Sequence, residues 1–192
     1  MAKDSQRLEQ EFISTIQAKT GRSLSEWLDV IKAAGLADKP NTILKWLKEN
    51  HSLNHMQANF LAGIYLNDGK PVYDYPVLFA KIFTGKADQQ QLYEALSQRI
   101  QQAVPDAEFI PTQAYVSIEA KRIFACATPT KDRLRVGLDL GDMPVDNVLQ
   151  KAKSLGAMPN LTHMVEIISP ADITDQVIGY VQQAYQRTHK AL

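Results

Sequence analysis

Between residues 4 and 66 apolar side chains return every three or four positions, and from residue 111 they return every second one. Leu8, Phe12 and Ile16, with Ile13 on the adjoining row, make one apolar stripe on an otherwise charged helix over 4–19. Thr20-Gly21 closes it, because glycine suits the left-handed residue that follows a helix. Ser23-Leu24-Ser25-Glu26 has the form of a capping box, in which a hydroxyl and a carboxylate satisfy two orphan amides. The helix it opens turns Trp27, Leu28, Ile31 and Ala34 inward and stops at Gly35. Pro40 suits the first turn of a third helix, with Ile43, Leu44, Trp46 and Leu47 as its apolar set. Asn54 caps a fourth, through Ala58, Leu61, Ala62 and Tyr65. Four short helices with short connections predict a small bundle.

Asn67 to Pro76 interrupts this periodicity with an Asp-Gly pair and two prolines, which mark a turn and an extended connector. The expected organisation is a helical domain over 1–67, a connector over 68–76 and a second domain over 77–192. Helices continue over 77–83 and 87–103, the latter with Leu92, Leu96, Ile100 and Ala103 on one face. Strands are expected at 114–118, 121–127, 133–140 and 162–167. The third of these is the clearest, since Leu134, Val136, Leu138 and Leu140 alternate with polar residues and glycine. Short connections between the first three predict antiparallel neighbours. A short helix is expected at 144–155. A last helix is expected to begin with Ser169 as N-cap and Pro170 at its first position, and to bury Ile173, Val177, Tyr180, Val181 and Tyr185. The fold class is therefore α+β: an N-terminal four-helix domain, then an antiparallel sheet of four to five strands with helices packed on one face.

Composition narrows the function without naming it. The 192 residues carry 21 Lys+Arg against 21 Asp+Glu, so net charge supplies no argument for a polyanionic partner. One cysteine, Cys126, allows neither an internal disulfide nor a thiolate zinc site. The longest apolar run is a few residues, so no membrane span is expected. The N-terminus lacks the apolar stretch of a secretory signal, and a cytoplasmic protein is expected.

No glycine-rich phosphate loop, Gly-x-Ser-x-Gly elbow, His-Glu-x-x-His or calcium loop occurs, so a non-enzymatic protein is expected, without cofactor or metal. His51 and His55 flank a turn, and a metal site there would need a third ligand, for which Asp68 and Glu49 are the nearby candidates; helix-end hydrogen-bonding groups are the preferred reading. His163 reads as a half-buried, hydrogen-bonded histidine on the strand face of Val165 and Ile167, and Cys126 as a small buried hydrophobe. An enzyme would need one of these two beside a second polar group. The helices 40–50 and 54–66 suggest helix-turn-helix, but the second has no Lys or Arg, and two packed bundle helices are the preferred reading.

The feature with chemical promise is a local excess of cations. Lys121, Arg122, Lys131, Arg133 and Arg135 stand against one acid, Asp132. Arg133 and Arg135 project from one face of their strand, Tyr115 and Ser117 from the polar face of a neighbour, and Lys121 or Arg122 could join them, depending on register. Such a surface would hold phosphates by charge and stack a base on Tyr115, making nucleic acid or another phosphate-bearing ligand the expected partner. The competing reading pairs the arginines with Glu119, Asp139 or Glu166. The alternative function is a protein or small-ligand adaptor using a groove near Trp46, Tyr73 and Tyr75.

Two stretches carry family resemblances. Thr20-Gly21-Arg22-Ser23-Leu24 followed by Trp27, then Trp46-Leu47 and His51 to His55, resembles a bacterial family of small helical domains of unknown function. From Leu78 to Gln186, with Tyr115-Val116-Ser117, Phe124, Leu134 to Leu140 and Ala184-Tyr185, the chain resembles a second uncharacterised bacterial family. That family has sometimes been labelled a predicted transport protein and occurs fused to endonuclease-like domains. Its strand order is similar to that of the double-wing DNA-binding family, a likeness of fold alone. Neither resemblance implies a catalytic residue.

Overall fold

The structure is a computed structural model that describes residues 5–153 and 160–190. The chain divides into two compact units, Met1–Asp74 and Tyr75–Leu192, the division falling inside the expected connector.

The first unit contains α1 (Ser5–Thr20), α2 (Leu24–Ala33), α3 (Pro40–His51) and α4 (His55–Leu66). Local chemistry sets their ends. Ser23 accepts from the Glu26 amide while the Glu26 carboxylate accepts from Ser23 N, and Asn54 and Gln57 make the same reciprocal pair ahead of α4. Pro40 opens α3. Phe12, Ile16, Trp27, Ile31, Ile43, Leu47, Leu61 and Ile64 form one buried core. A charge sits in the same interior: Glu9 of α1 is 1% exposed, and its two oxygens accept from the amides of Val72 and Tyr73, both at 2.9 Å. The extended segment after α4 is thereby held on the helical unit.

The second unit has α5 (Tyr75–Ile82), α6 (Ala87–Ala103), β1 (Glu108–Pro111), β2 (Val116–Glu119), β3 (Ile123–Pro129), β4 (Leu134–Leu138), β5 (Gln150–Lys151), β6 (His163–Ile167) and α7 (Asp175–Lys190). The sheet is antiparallel throughout, in the order β1-β2-β3-β4-β6-β5. Helices α6 and α7 cover one face, where Val116, Ile118, Leu134, Val136, Leu138, Val165 and Ile167 are buried. Phe124 is an extra residue in β3: Ile118 stands opposite Ala125 and Glu119 opposite Ile123. The bulge places Phe124 and Ala125 in the helix-side core together, with the Phe124 ring edge-on to Tyr185 of α7 at 5.6 Å.

Three expectations are corrected. Among the described residues the sheet has six strands, β1 and β5 being added at its two edges. Residues 144–149 are not helical, and β5 follows them; 154–159 of the expected helix lie outside the described residues. The cause is Asp146, whose carboxylate accepts from the amides of Val148 and Leu149, hydrogen bonds that compete with a helix, and from the hydroxyl of Tyr180 on α7. Finally, Ser169 and Pro170 open a 3-10 turn, Pro170–Asp172, because Asp172 folds back onto the amides of Ile168 and Ser169; α7 begins only at Asp175.

Candidate functional site

The register of β3, β4 and β6 places Thr128, Arg135 and Glu166 in one row across the face away from α6 and α7. Arg133 lies two residues before Arg135 on the same side of β4. Glu166 stands between the two arginines, its Oε2 2.7 Å from Nη1 of Arg133 and its Oε1 3.3 Å from Nε of Arg135. Asp132 takes the other edge of Arg133, with Nη2 donating to Oδ2 at 2.6 Å and Nε to Oδ1 at 3.1 Å. This fork-to-fork pairing holds the Asp132 carboxyl down at about 2, the hydrogen bond from Arg133 being the main cause, and raises the Arg133 guanidinium.

Donor arithmetic shows what remains available. Two guanidinium groups carry five N–H donors each, and these contacts use four of the ten. Arg135 contributes one, through Nε, so its two Nη groups have no protein partner among the described residues. Its side chain is 28% exposed. The array is a carboxylate-buttressed arginine pair, close to neutral in total, with one guanidinium fork fixed in place and unused.

The other expected ligands do not join it. Lys121 and Arg122 lie in the β2–β3 turn, at the opposite end of β3 from the β3–β4 turn that leads to Arg133. The seven residues of β3 separate the two ends, a span of about 20 Å. Arg122 donates to the Thr188 carbonyl of α7 at 3.1 Å. Ser117 is 3% exposed, in a row with Cys126, Gly137 and Met164. Leu161, Tyr115 and Ala152 pack with Cys126 and Met164 into a small second core, which spends Tyr115 as a cover. Of the expected residues Tyr115, Ser117, Lys121, Arg122, Arg133 and Arg135, the structure brings Arg133 and Arg135 together around Glu166 and gives the other four different contacts or positions. Sequence alone offered Glu166 only as a competing partner, because it is 31 residues from Arg135 along the chain.

His163 and Cys126 do not share a site. Cys126 belongs to the second core, and burial pushes its thiol up. His163 is fully buried; Nε2 lies 2.8 Å from the Met143 carbonyl and Nδ1 2.8 Å from the Thr162 hydroxyl. The Lys151 ammonium also lies 3.2 Å from Nε2, so a group that only donates and a carbonyl that only accepts meet at the same nitrogen. Among the described residues no group of three or more His, Cys, Asp and Glu could hold a metal ion. No described helix is long and apolar enough to cross a membrane.

The Glu166 bridge predicts a stability effect. Glu166→Gln leaves two partly exposed arginines without their shared counter-charge, a loss of about 1–2 kcal/mol by urea unfolding followed by far-UV circular dichroism. A change below about 0.5 kcal/mol would mean that solvent screens the bridge to the level of an exposed pair.

A family described as a domain of unknown function, DUF5655, matches residues 79–188, more than half of the chain. The chain belongs to the DUF5655 family. The match takes in the sheet, α6 and nearly all of α7, so the arginine pair is a feature of the DUF5655 unit. A second family with the same description, DUF4287, matches residues 9–67, the helical unit. The two matches fall on the two stretches whose motifs resemble uncharacterised families. No curated protein and no solved structure matches the chain.

Proposed function

We propose that the protein is a non-enzymatic binding module of the bacterial cytoplasm whose DUF5655 unit receives one compact anionic group, a phosphate monoester or a carboxylate, at Arg135. The observation that carries this reading is the unused fork: Glu166 orients the Arg135 guanidinium through Nε and leaves both Nη groups without a protein partner among the described residues. A planar fork already held in place loses little freedom when it pairs with an anion. The same geometry argues against the nucleic-acid reading in its extended form. Polynucleotide binding draws on several phosphates at once, and here Asp132 and Glu166 already neutralise the two arginines. A small ligand, or one acidic group on a partner protein, suits the array better, which favours an adaptor-like role.

Titration calorimetry at low and moderate salt, with O-phosphoserine, inorganic phosphate and a single-stranded oligonucleotide, tests the reading. A compact anion is expected to bind with a salt slope near that of one neutralised charge, and Arg135→Gln to weaken it about tenfold. Absence of compact-anion binding at low salt, or binding indifferent to Arg135→Gln, overturns the proposal. Oligonucleotide binding with a slope of several charges would restore the polyanion reading instead.

A further inference from the structure

The motif of the helical unit assembles around one histidine. Arg22, Trp27, His51 and Trp46 cluster: the Arg22 guanidinium lies 5.0 Å from the Trp27 ring centre, and the His51 ring meets Trp27 at 5.2 Å and Trp46 at 4.7 Å, both at steep interplanar angles. Thr20 pins the first indole, accepting from Trp27 Nε1 at 2.8 Å while donating to the Ile16 carbonyl at 2.7 Å. His51 is the last residue of α3, and its Nε2 is buried with no hydrogen-bond partner. The residue that follows, Ser52, has φ 55°, a left-handed conformation that costs a residue with a Cβ. Leu53 is buried, and Asn54 then caps α4. The α3–α4 turn therefore carries strain at Ser52 and an unsatisfied nitrogen at His51, both tolerated while the ring packs against the two indoles.

We propose that His51 is a pH-sensitive latch on the α3–α4 turn: the uncharged ring closes the turn, and protonation expels it. The imidazolium carries an N–H on both nitrogens, so protonation places a charged donor at Nε2 where no acceptor stands. Arg22, from the α1–α2 loop, is the charged side chain that acts on the ring, and it repels the imidazolium; α2 and α3 face it with Trp27 and Trp46. The two indoles favour a cation through their π faces. That attraction is outweighed, since burial first and Arg22 second lower the His51 titration below its ordinary 6.5. A lowered folded value means that the unfolded chain binds the proton more tightly. The contribution is complete above 6.5 and is lost as pH falls through the folded value.

Both tryptophans of the chain lie in this cluster, so tryptophan fluorescence of the full chain from pH 8 to pH 5 reads the latch directly. The expected result is a single step with its midpoint below 6.5, matched by the His51 ring resonances in NMR. Hydrogen-exchange protection factors of the amides from Ser52 to Gln57 are expected to fall about tenfold across that step. His51→Phe, which fills the same space and cannot titrate, is expected to remove both changes; should it fail to fold, the wild-type measurements decide alone. A midpoint at or above 6.5, or protection factors unchanged across the midpoint, overturns the proposal.

Discussion

Glu9→Ala is expected to lower the stability of the helical unit by about 2–4 kcal/mol, because two amides lose a charged acceptor in a part-buried setting. The amides belong to Val72 and Tyr73, 63 and 64 residues away along the chain, so the carboxylate replaces a strand partner for a segment that has none. Glu9→Gln is expected to recover part of the loss: it keeps one acceptor oxygen but turns an NH2 toward the second amide. Tryptophan fluorescence in urea isolates the effect, since Trp27 and Trp46 both lie in this unit. Exchange of the Val72 and Tyr73 amides should rise in both variants. An alanine variant with unchanged midpoint and unchanged exchange would show that water satisfies those amides equally well.

The DUF5655 unit is expected to lose about 2–3 kcal/mol of stability between pH 10 and pH 12 through Tyr93 alone, at about 1.4 kcal/mol for each tenfold change in proton affinity between the folded and unfolded chain. Tyr93 is 6% exposed and packs against Phe79, Phe83 and Phe109, with ring centres 5.4, 5.3 and 6.5 Å away. Burial there, helped by the neighbouring Glu94, pushes its hydroxyl up to about 12 from 10.0. The folded value is raised, so the contribution is complete below 10 and disappears as pH climbs through about 12. Urea unfolding of wild type and Tyr93→Phe followed by far-UV circular dichroism separates this from lysine titration, which both share. The two should differ little at pH 9, and the phenylalanine variant should become relatively more stable above pH 10. Parallel curves from pH 9 to pH 12 would refute the assignment.

The arginine pair bears on function because it converts a cationic stretch of sequence into a discrete site. A run with five basic residues and one acid invites a polyanion when read along the chain. Strand geometry divides these cations in two steps. The β3 strand carries Lys121 and Arg122 to the far end of the sheet from Arg133 and Arg135. The β4–β6 register then delivers Glu166 between the two arginines that remain. Under the proposal, the selectivity is for a single group that can use one guanidinium fork.

Residue order alone was sufficient for the features whose causes are local. The capping pairs Ser23 with Glu26 and Asn54 with Gln57 close over three residues, Pro40 opens α3 through its own ring, and the alternation from Leu134 to Leu138 needs no partner to declare two faces. The Asp-Gly pair and two prolines between Asn67 and Pro76 interrupt the helical periodicity, and the division into two compact units falls between Asp74 and Tyr75. What failed from sequence was decided by groups distant along the chain. Tyr180 and the Asp146 turn override the helical periodicity of 144–149, and the edge strands β1 and β5 exist because β2 and β6 offer them hydrogen bonds. Tyr115 is half-buried against Leu161, Cys126 and Met164, and His51 packs against Trp27, 24 positions earlier. A cap is settled by a few adjacent torsions, whereas the charge state and availability of Arg133, Arg135 and His51 depend on packing that exists only once the whole unit has closed.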